Sequence, residues 1–343
     1  MTNRDIFEDL FILDMANHLG SVEQDLKIIR EFSHVMRSNK VRASIKLQFT
    51  DQKSGKGTEN YGLSDGDCHV LAKAIQEAGC IVTAKPLDLR SVDLCVDLGI
   101  PIFEISDAQL ADWSLLETIA TTKKPIVLSS RSLPSKDIDD FVAFFARLNV
   151  PLAIMHCVAI EVRKDSELEI NQIDLLRSRY PNNTIGYSTH EYMSATSSMM
   201  IAYAKGARMF ERRIDMDSDD LRGAPKGGQP EQIDEWFKAF QKVKKMCGGP
   251  GTRPQMLQRR EYSDALLPGV YAKRNLPKGH SLTTDDVYLA FPLQKGQLSP
   301  LELTGGEILT DLVKKDQAIQ IDSHYPESIS LRKKIYNRKS NVN

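Results

Sequence analysis

Lysines, arginines, histidines, serines and acidic residues recur in this 343-residue sequence at one kind of place, the polar end of short apolar runs. Asp14, Asn17 and His18 lie at or just past the end of FILDMA (11–16). Lys46 and Gln48 sit inside ASIKLQF (43–49), and Lys85 follows CIVTA (80–84). Glu104 and Ser106 close PIFEIS (101–106), Ser129 and Ser130 close PIVLSS (125–130) with Arg131 next, and His156 and Glu161 flank the end of PLAIMHC (151–157). Ser188 falls in TIGYST (184–189) with His190 after it; Glu211 and Arg212 end ARMFER (207–212), followed by Arg213. Cations among hydroxyls suit a phosphorylated or carboxylated ligand, because charge-assisted hydrogen bonds to such oxyanions are strong and directional.

Strand periodicity sorts these residues further. Side chains alternate in direction along a strand, so Lys46 and Gln48 share a face that Leu47 does not. Arg212 and Arg213 point opposite ways by the same rule, and one of them is expected to pair with a helix carboxylate. His156 precedes a strand end and fits either a hydrogen-bonded core histidine or a ligand; His190, at a strand-end turn, is the better ligand candidate. A lysine such as Lys46 or Lys85 could also serve as a Schiff-base amine if a desolvated pocket lowered its pKa.

The elements that must position them alternate in type. Eight short runs rich in Ile, Val, Leu and Phe read as parallel strands covered on both faces. Helical patterns lie between them. VEQDLKIIREFSHVM carries Val22, Leu26, Ile29 and Val35 near helical spacing behind a capping Ser21, and Ser64 opens a helix that Gly79 ends. Strand–helix alternation implies a parallel sheet with right-handed crossovers. Eight such units in roughly 245 residues match the usual size of a closed (β/α)8 barrel. No GxGxxG follows any strand, so a dinucleotide-binding open sheet has no support.

After the last helix, CGGPGTRPQ (247–255) reads as a linker. The expected organisation is a barrel over 1–247, a linker over 248–262, a small β-rich domain over 263–325 built from GVYAKRNL, DVYLAFPL and AIQIDS, and a basic tail over 326–343. The chain is 41% hydrophobic and 27% charged with a formal net charge of −1, which gives no field toward nucleic acid or membrane. MTNRDIFEDL lacks a signal-peptide pattern, no run is apolar enough to span a bilayer, and the five cysteines form no CxxC pair, so reduced thiols in a cytoplasmic protein are expected.

Several strings in order resemble one family: NHLGS (17–21), IKLQF (45–49), SVDLCVDLGIPIFEIS (91–106), KPIVLSS (124–130), MHC (155–157), GYSTH (186–190), KGARMFERR (205–213) and PGVYAKRNLPKGHSLTTDDV (268–287). This is similar to the sialic acid (N-acetylneuraminate) synthases and their spore-coat polysaccharide and nonulosonic acid synthase relatives, which carry a C-terminal antifreeze-like (SAF) domain. The resemblance implies a condensation of phosphoenolpyruvate with an N-acylated amino sugar, giving an α-keto sugar acid and phosphate. It implies a divalent metal, manganese or magnesium, acting as Lewis acid, and a homodimer with exchanged C-terminal domains. It makes Asp14, Lys46 and His190 catalytic, with His190 the metal ligand. Asn17, His18, Gln48, Ser129, Ser130, Ser188, Glu211 and Arg213 become substrate-binding residues.

The sequence departs from that pattern at named places. Arg213 stands where the family has its second metal histidine, and Glu104 where it has a lysine. HCVAIEV lacks the family's tyrosine and proline, Asp14 is one residue short of the usual acidic spacing, and Pro268 falls near the position of a C-terminal arginine. These changes keep a second expectation open, a catalytically degenerate relative that binds a sugar or a partner protein.

Overall fold

The eight runs become eight strands: β1 (Leu10–Asp14), β2 (Arg42–Phe49), β3 (Ile81–Pro86), β4 (Ile102–Ile105), β5 (Ile126–Ser129), β6 (Leu152–Cys157), β7 (Thr184–Thr189) and β8 (Met209–Arg213). Each pairs in parallel with the next, and β8 closes on β1, giving a complete barrel. The computed structural model describes residues 6–15, 21–49, 63–131, 133–158, 164–189, 195–216, 227–248 and 267–320. The chain divides into two compact units, Met1–Gly248 and Gly249–Asn343.

Helices α1 (Val22–Asn39), α2 (Asp65–Glu77), α3 (Leu89–Asp97), α4 (Asp107–Leu110), α5 (Trp113–Thr121), α6 (Ser135–Arg147), α7 (Gln172–Arg179), α8 (Ala195–Lys205) and α9 (Pro230–Cys247) complete the first unit. Their ends follow from local chemistry. The Ser21 hydroxyl accepts from the Gln24 amide, satisfying one of the free first-turn donors of α1. Ser64 and Asp67 cap each other's amides at the start of α2, and Gly79 follows that helix at φ +77, where an L side chain would be strained. The buried face of α1 is Ile28, Ile29, Phe32 and Met36; Val22, Leu26 and Val35 lie at its margin, so the apolar stripe is rotated from the expected one.

The strand faces divide as the period-two rule requires. Phe11, Leu13, Ile45, Leu47, Phe103, Leu128, Ile154 and Phe210 face outward into the layer under the helices. Inward, Leu10, Ile12, Ile102, Val127, Ala153, Met155 and Met209 fill the lower lumen with Phe7. This apolar floor leaves the C-terminal ends of the strands as the place where polar side chains can converge. At the seam, the Phe11 ring centroid lies 5.5 Å from that of Phe210, 5.0 Å from Trp236, 4.9 Å from Phe237 and 4.8 Å from Phe240, pinning α9 across β1 and β8.

The second unit holds an antiparallel pair, β9 (Gly269–Ala272) and β10 (Val287–Ala290), and a small core of Val270, Leu276, Leu282, Val287, Leu298 and Ile319. The run from Ala318, expected as a third strand, forms single bridges through Ala318 and Gln320 instead, within the residues described. A buried Asp286 carboxylate organises the unit. It accepts from Thr283, from Arg274 at 2.6 Å and from His280 at 2.8 Å, and these donors, His280 first, hold its pKa far below the usual range. Among the described residues, no helix is long and apolar enough to cross a membrane.

Candidate active site

Above the apolar floor, the next inward step on β1, β2, β4 and β8 is ionisable. It carries Asp14, Lys46, Glu104 and Glu211, each no more than 5% exposed. The Lys46 ammonium donates to Glu104 Oε2 at 2.7 Å and Glu211 Oε1 at 3.1 Å, and stands 3.3 Å from Asp14 Oδ2. Ser188 on β7 donates to the same Glu211 oxygen at 3.2 Å. Register explains how the residues meet: Asp14 lies opposite Lys46 on one side and opposite Arg213 on the other, while Ser188 pairs with Glu211 and Cys157 with Ser188.

One buried ammonium among three buried carboxylates has clear electrostatic consequences. Burial alone would drive the Lys46 pKa down, but Asp14, Glu104 and Glu211 together push it well above its ordinary value. Glu104 moves up as well, to about 7, because burial and the Glu211 charge outweigh the attraction of Lys46 and Lys85. The two directions agree physically: a single cation cannot neutralise three anions, so one carboxyl tends to keep its proton. Burial, reinforced by Glu211, likewise pushes the Cys157 thiol up to about 11.

Higher on the same face, Gln48 and Lys85 lie opposite each other on β2 and β3. Ser129 is buried at the end of β5, and the Ser130 hydroxyl donates to the Met155 carbonyl at 2.9 Å, tying β5 to β6. Ser106 begins α4, where Gln109 Oε1 accepts from the Ser106 amide and Gln109 Nε2 donates to the Pro86 carbonyl at 2.7 Å. That bridge joins the ends of β3 and β4 and so fixes where Glu104 and Lys85 project.

The structure resolves the two alternatives left by strand alternation. His156 turns away from the lumen, stacks on Tyr187 with centroids 6.0 Å apart, and donates from Nε2 to the Leu168 carbonyl at 3.0 Å. Burial lowers its pKa, as expected for a neutral core histidine. Arg212 also points outward and is buried beside Gly228, where an added Cβ would stand 3.1 Å from its Nε. Arg213 takes the lumen side. Asn17, His18, Glu161 and His190 lie outside the described residues.

The strand-end pattern grouped Asp14, Lys46, Glu104, Ser188 and Glu211 together, and the structure brings these five side chains to one tier, but nothing in the pattern named Glu104 as the partner of Lys46. Glu104 is the closest partner of Lys46. Its signal was present: a charge reversal on the inward face of one strand demands a compensating charge nearby. Thr83, Cys157 and Gln109 carried no comparable signal.

Comparison with known proteins gives this arrangement its context. A crystal structure of the Chromobacterium violaceum protein assigned as spore coat polysaccharide biosynthesis protein E is 30% identical, covers 91% of this chain and 98% of its own, and superposes with a TM-score of 0.84. The human N-acetylneuraminate-9-phosphate synthase is 23% identical over 294 residues, 82% of this chain and 81% of that protein. The N,N'-diacetyllegionaminic acid synthase of Campylobacter jejuni is 22% identical over 241 residues, 69% of this chain and 71% of its own. The NeuB family description matches residues 29–250, running from within α1 to just past α9 and taking in Lys46, Glu104, Ser188 and Glu211. On that match, which covers more than half of the sequence, the chain belongs to the NeuB family.

Proposed function

We propose that this chain is a nonulosonic acid synthase-like enzyme that condenses phosphoenolpyruvate with the open-chain aldehyde of an N-acylated amino sugar. In this reaction C3 of phosphoenolpyruvate forms a bond to the aldehyde carbon, water adds at C2, and C–O cleavage releases phosphate. The observation that carries the reading is the convergence of Lys46, Lys85, Arg213, Ser129 and Ser188 on the C-terminal mouth of a closed barrel in a NeuB family chain. The human relative is named for N-acetylneuraminate 9-phosphate and the Campylobacter relative for N,N'-diacetyllegionaminic acid, both N-acetylated acids, which supports an amino-sugar acceptor.

The residues divide the work by chemistry. Lys85, Arg213 and the hydroxyls meet the phosphate and carboxylate of the donor. Glu104, whose carboxyl burial pushes up to about 7, can give a proton to the aldehyde oxygen as charge develops there. Asp14 and Glu211 hold the Lys46 ammonium in place. The divalent metal implied by the resemblance does not fit the described donors. Their carboxylates face an ammonium, and Arg213 has no lone pair to offer a cation. No step is assigned to it.

The same reading makes the C-terminal unit an antifreeze-like domain and the chain a cytoplasmic homodimer, checked by light scattering in solution. The test of activity is phosphate release from phosphoenolpyruvate with a panel of N-acylated mannosamine-like sugars. Sugar-dependent release is expected. The 2.7 Å pairing of Lys46 with Glu104 favours a second reading, a sugar-binding relative without turnover, because it occupies the lysine that would hold an anion. Sugar binding by calorimetry with no phosphate release on any sugar would establish that second reading.

A further inference from the structure

We propose that the described tier of Asp14, Glu104 and Glu211 in the barrel mouth admits no divalent cation, because the Lys46 ammonium stands among the three carboxylates. Three carboxylates drawn from β1, β4 and β8 around one point in a buried lumen are a hard-cation donor set by chemistry. Here that point is taken. Lys46 Nζ lies 2.7, 3.1 and 3.3 Å from the three groups, ordinary hydrogen-bond and ion-pair spacing rather than metal–oxygen spacing, which is about 2.0–2.6 Å for the common divalent ions.

A second fixed charge stands beside it. Arg213 lies opposite Asp14 in the β1–β8 register and shares its inward face. A dication entering this tier would meet an ammonium and a guanidinium in a medium that screens poorly, and it would have to displace a lysine whose stem is sealed in the barrel. The surplus negative charge is met by other means: Lys85 lies near Glu104, and burial with the Glu211 charge pushes the Glu104 carboxyl up to about 7. Among the described residues, no group of three or more His, Cys, Asp or Glu side chains is placed to hold a metal ion.

The consequence for the reaction rests on the synthase reading above. Charge developing on the aldehyde oxygen would be met by the proton of the Glu104 carboxyl instead of a Lewis acid, from a group held in place as oxyanion sites hold their donors. Both the binding statement and this consequence can be tested apart from each other.

The full chain, dialysed against EDTA and then freed of chelator, is titrated with Mn2+ while the free-ion paramagnetic resonance signal is recorded. The signal of the wild-type protein is expected to track total Mn2+ through the micromolar range, with no stoichiometric uptake. The Lys46→Met and Arg213→His variants, tested singly and together, are expected to take up Mn2+, with at least a tenfold gain in affinity for the double variant. Uptake of one Mn2+ per wild-type chain, abolished by Glu211→Gln, overturns the proposal whatever the variants do. A folded double variant as silent as the wild type overturns the role given to Lys46. Phosphate release unchanged by EDTA would support the consequence for catalysis, whereas absence of release would sink the synthase reading and leave the binding result standing.

Discussion

Lys46 on β2 reaches past β3 to meet Glu104 on β4 at 2.7 Å, and both side chains are buried. The pair is the shortest link in a four-residue charge cluster, and removing its only cation would leave three carboxylates together in a low-dielectric lumen. Lys46→Met is therefore expected to lower the unfolding free energy by about 3–5 kcal/mol, the usual cost of orphaning a buried charge. Adding Glu104→Leu to that variant should recover part of the loss. Denaturant midpoints of the two variants check this; equal midpoints would mean that the pair does not act as a unit.

Glu104 also sets a pH dependence. Its folded pKa of about 7 lies above the ordinary 4.5, so between these values the folded form keeps a proton that the unfolded chain releases. The contribution of this carboxyl is present in full below pH 4.5 and is lost as pH rises toward 7, with a limiting slope of about 1.4 kcal/mol per pH unit. Glu104→Gln removes that titration. The stability of the wild type relative to the variant should fall between pH 5 and pH 7.5, in urea titrations run at matched ionic strength (both pH values are about those that bracket the window). A constant difference would count against the shift.

Phe11 is the keystone of the β1–β8 seam. Four aromatic rings of β8 and α9 pack against it within 5.5 Å. Phe11→Ala should cost about 3–5 kcal/mol through lost burial and the cavity left behind. The denaturant midpoint should drop with no change in slope, since the barrel still unfolds as a whole.

Gly186, within the GYSTH string, has a packing role. A Cβ there would stand 2.6 Å from Met155 Sδ and 3.1 Å from the Met209 carbonyl, both in the floor of the lumen. Gly186→Ala is expected to destabilise by about 1–3 kcal/mol through overpacking. Combining it with Met155→Ala should relieve the sulfur contact, and a midpoint restored toward wild type would confirm where the strain lies.

The thiols should differ in reactivity. Cys247 is exposed, Cys80 is half-buried, and Cys68, Cys95 and Cys157 are buried. Burial raises Cys68 to about 12 and Cys157 to about 11, which keeps both protonated and unreactive at neutral pH. A disulfide reagent should modify one thiol per native chain rapidly, Cys80 slowly, and the remaining three only on unfolding. Rapid modification in a Cys247→Ser variant would show an open path into the core.

The division between sequence and tertiary structure is clearest at the strands. Short continuous apolar runs are local patterns, and they placed all eight strands, while alternation put Lys46 and Gln48 on one shared face. Capping at Ser21 and Ser64 was legible for the same reason, since the hydroxyl and the amide it satisfies are three residues apart. His156 and Arg212 could not be assigned from alternation without knowing where one strand ends in space. Of the run from Ala318, the described part forms single bridges to Tyr271 and Gln297, partners that no local pattern could name. The site itself was a tertiary decision. Lys46 meets partners 58 and 165 residues away, and barrel closure, which sets the stagger between neighbouring strands, determines that those carboxylates rather than a ligand surround its ammonium. Alternation tells which residues of a strand share a face; only the closed register, in a lumen where an unpaired charge is costly, decides which face is inward and which charge each side chain must answer.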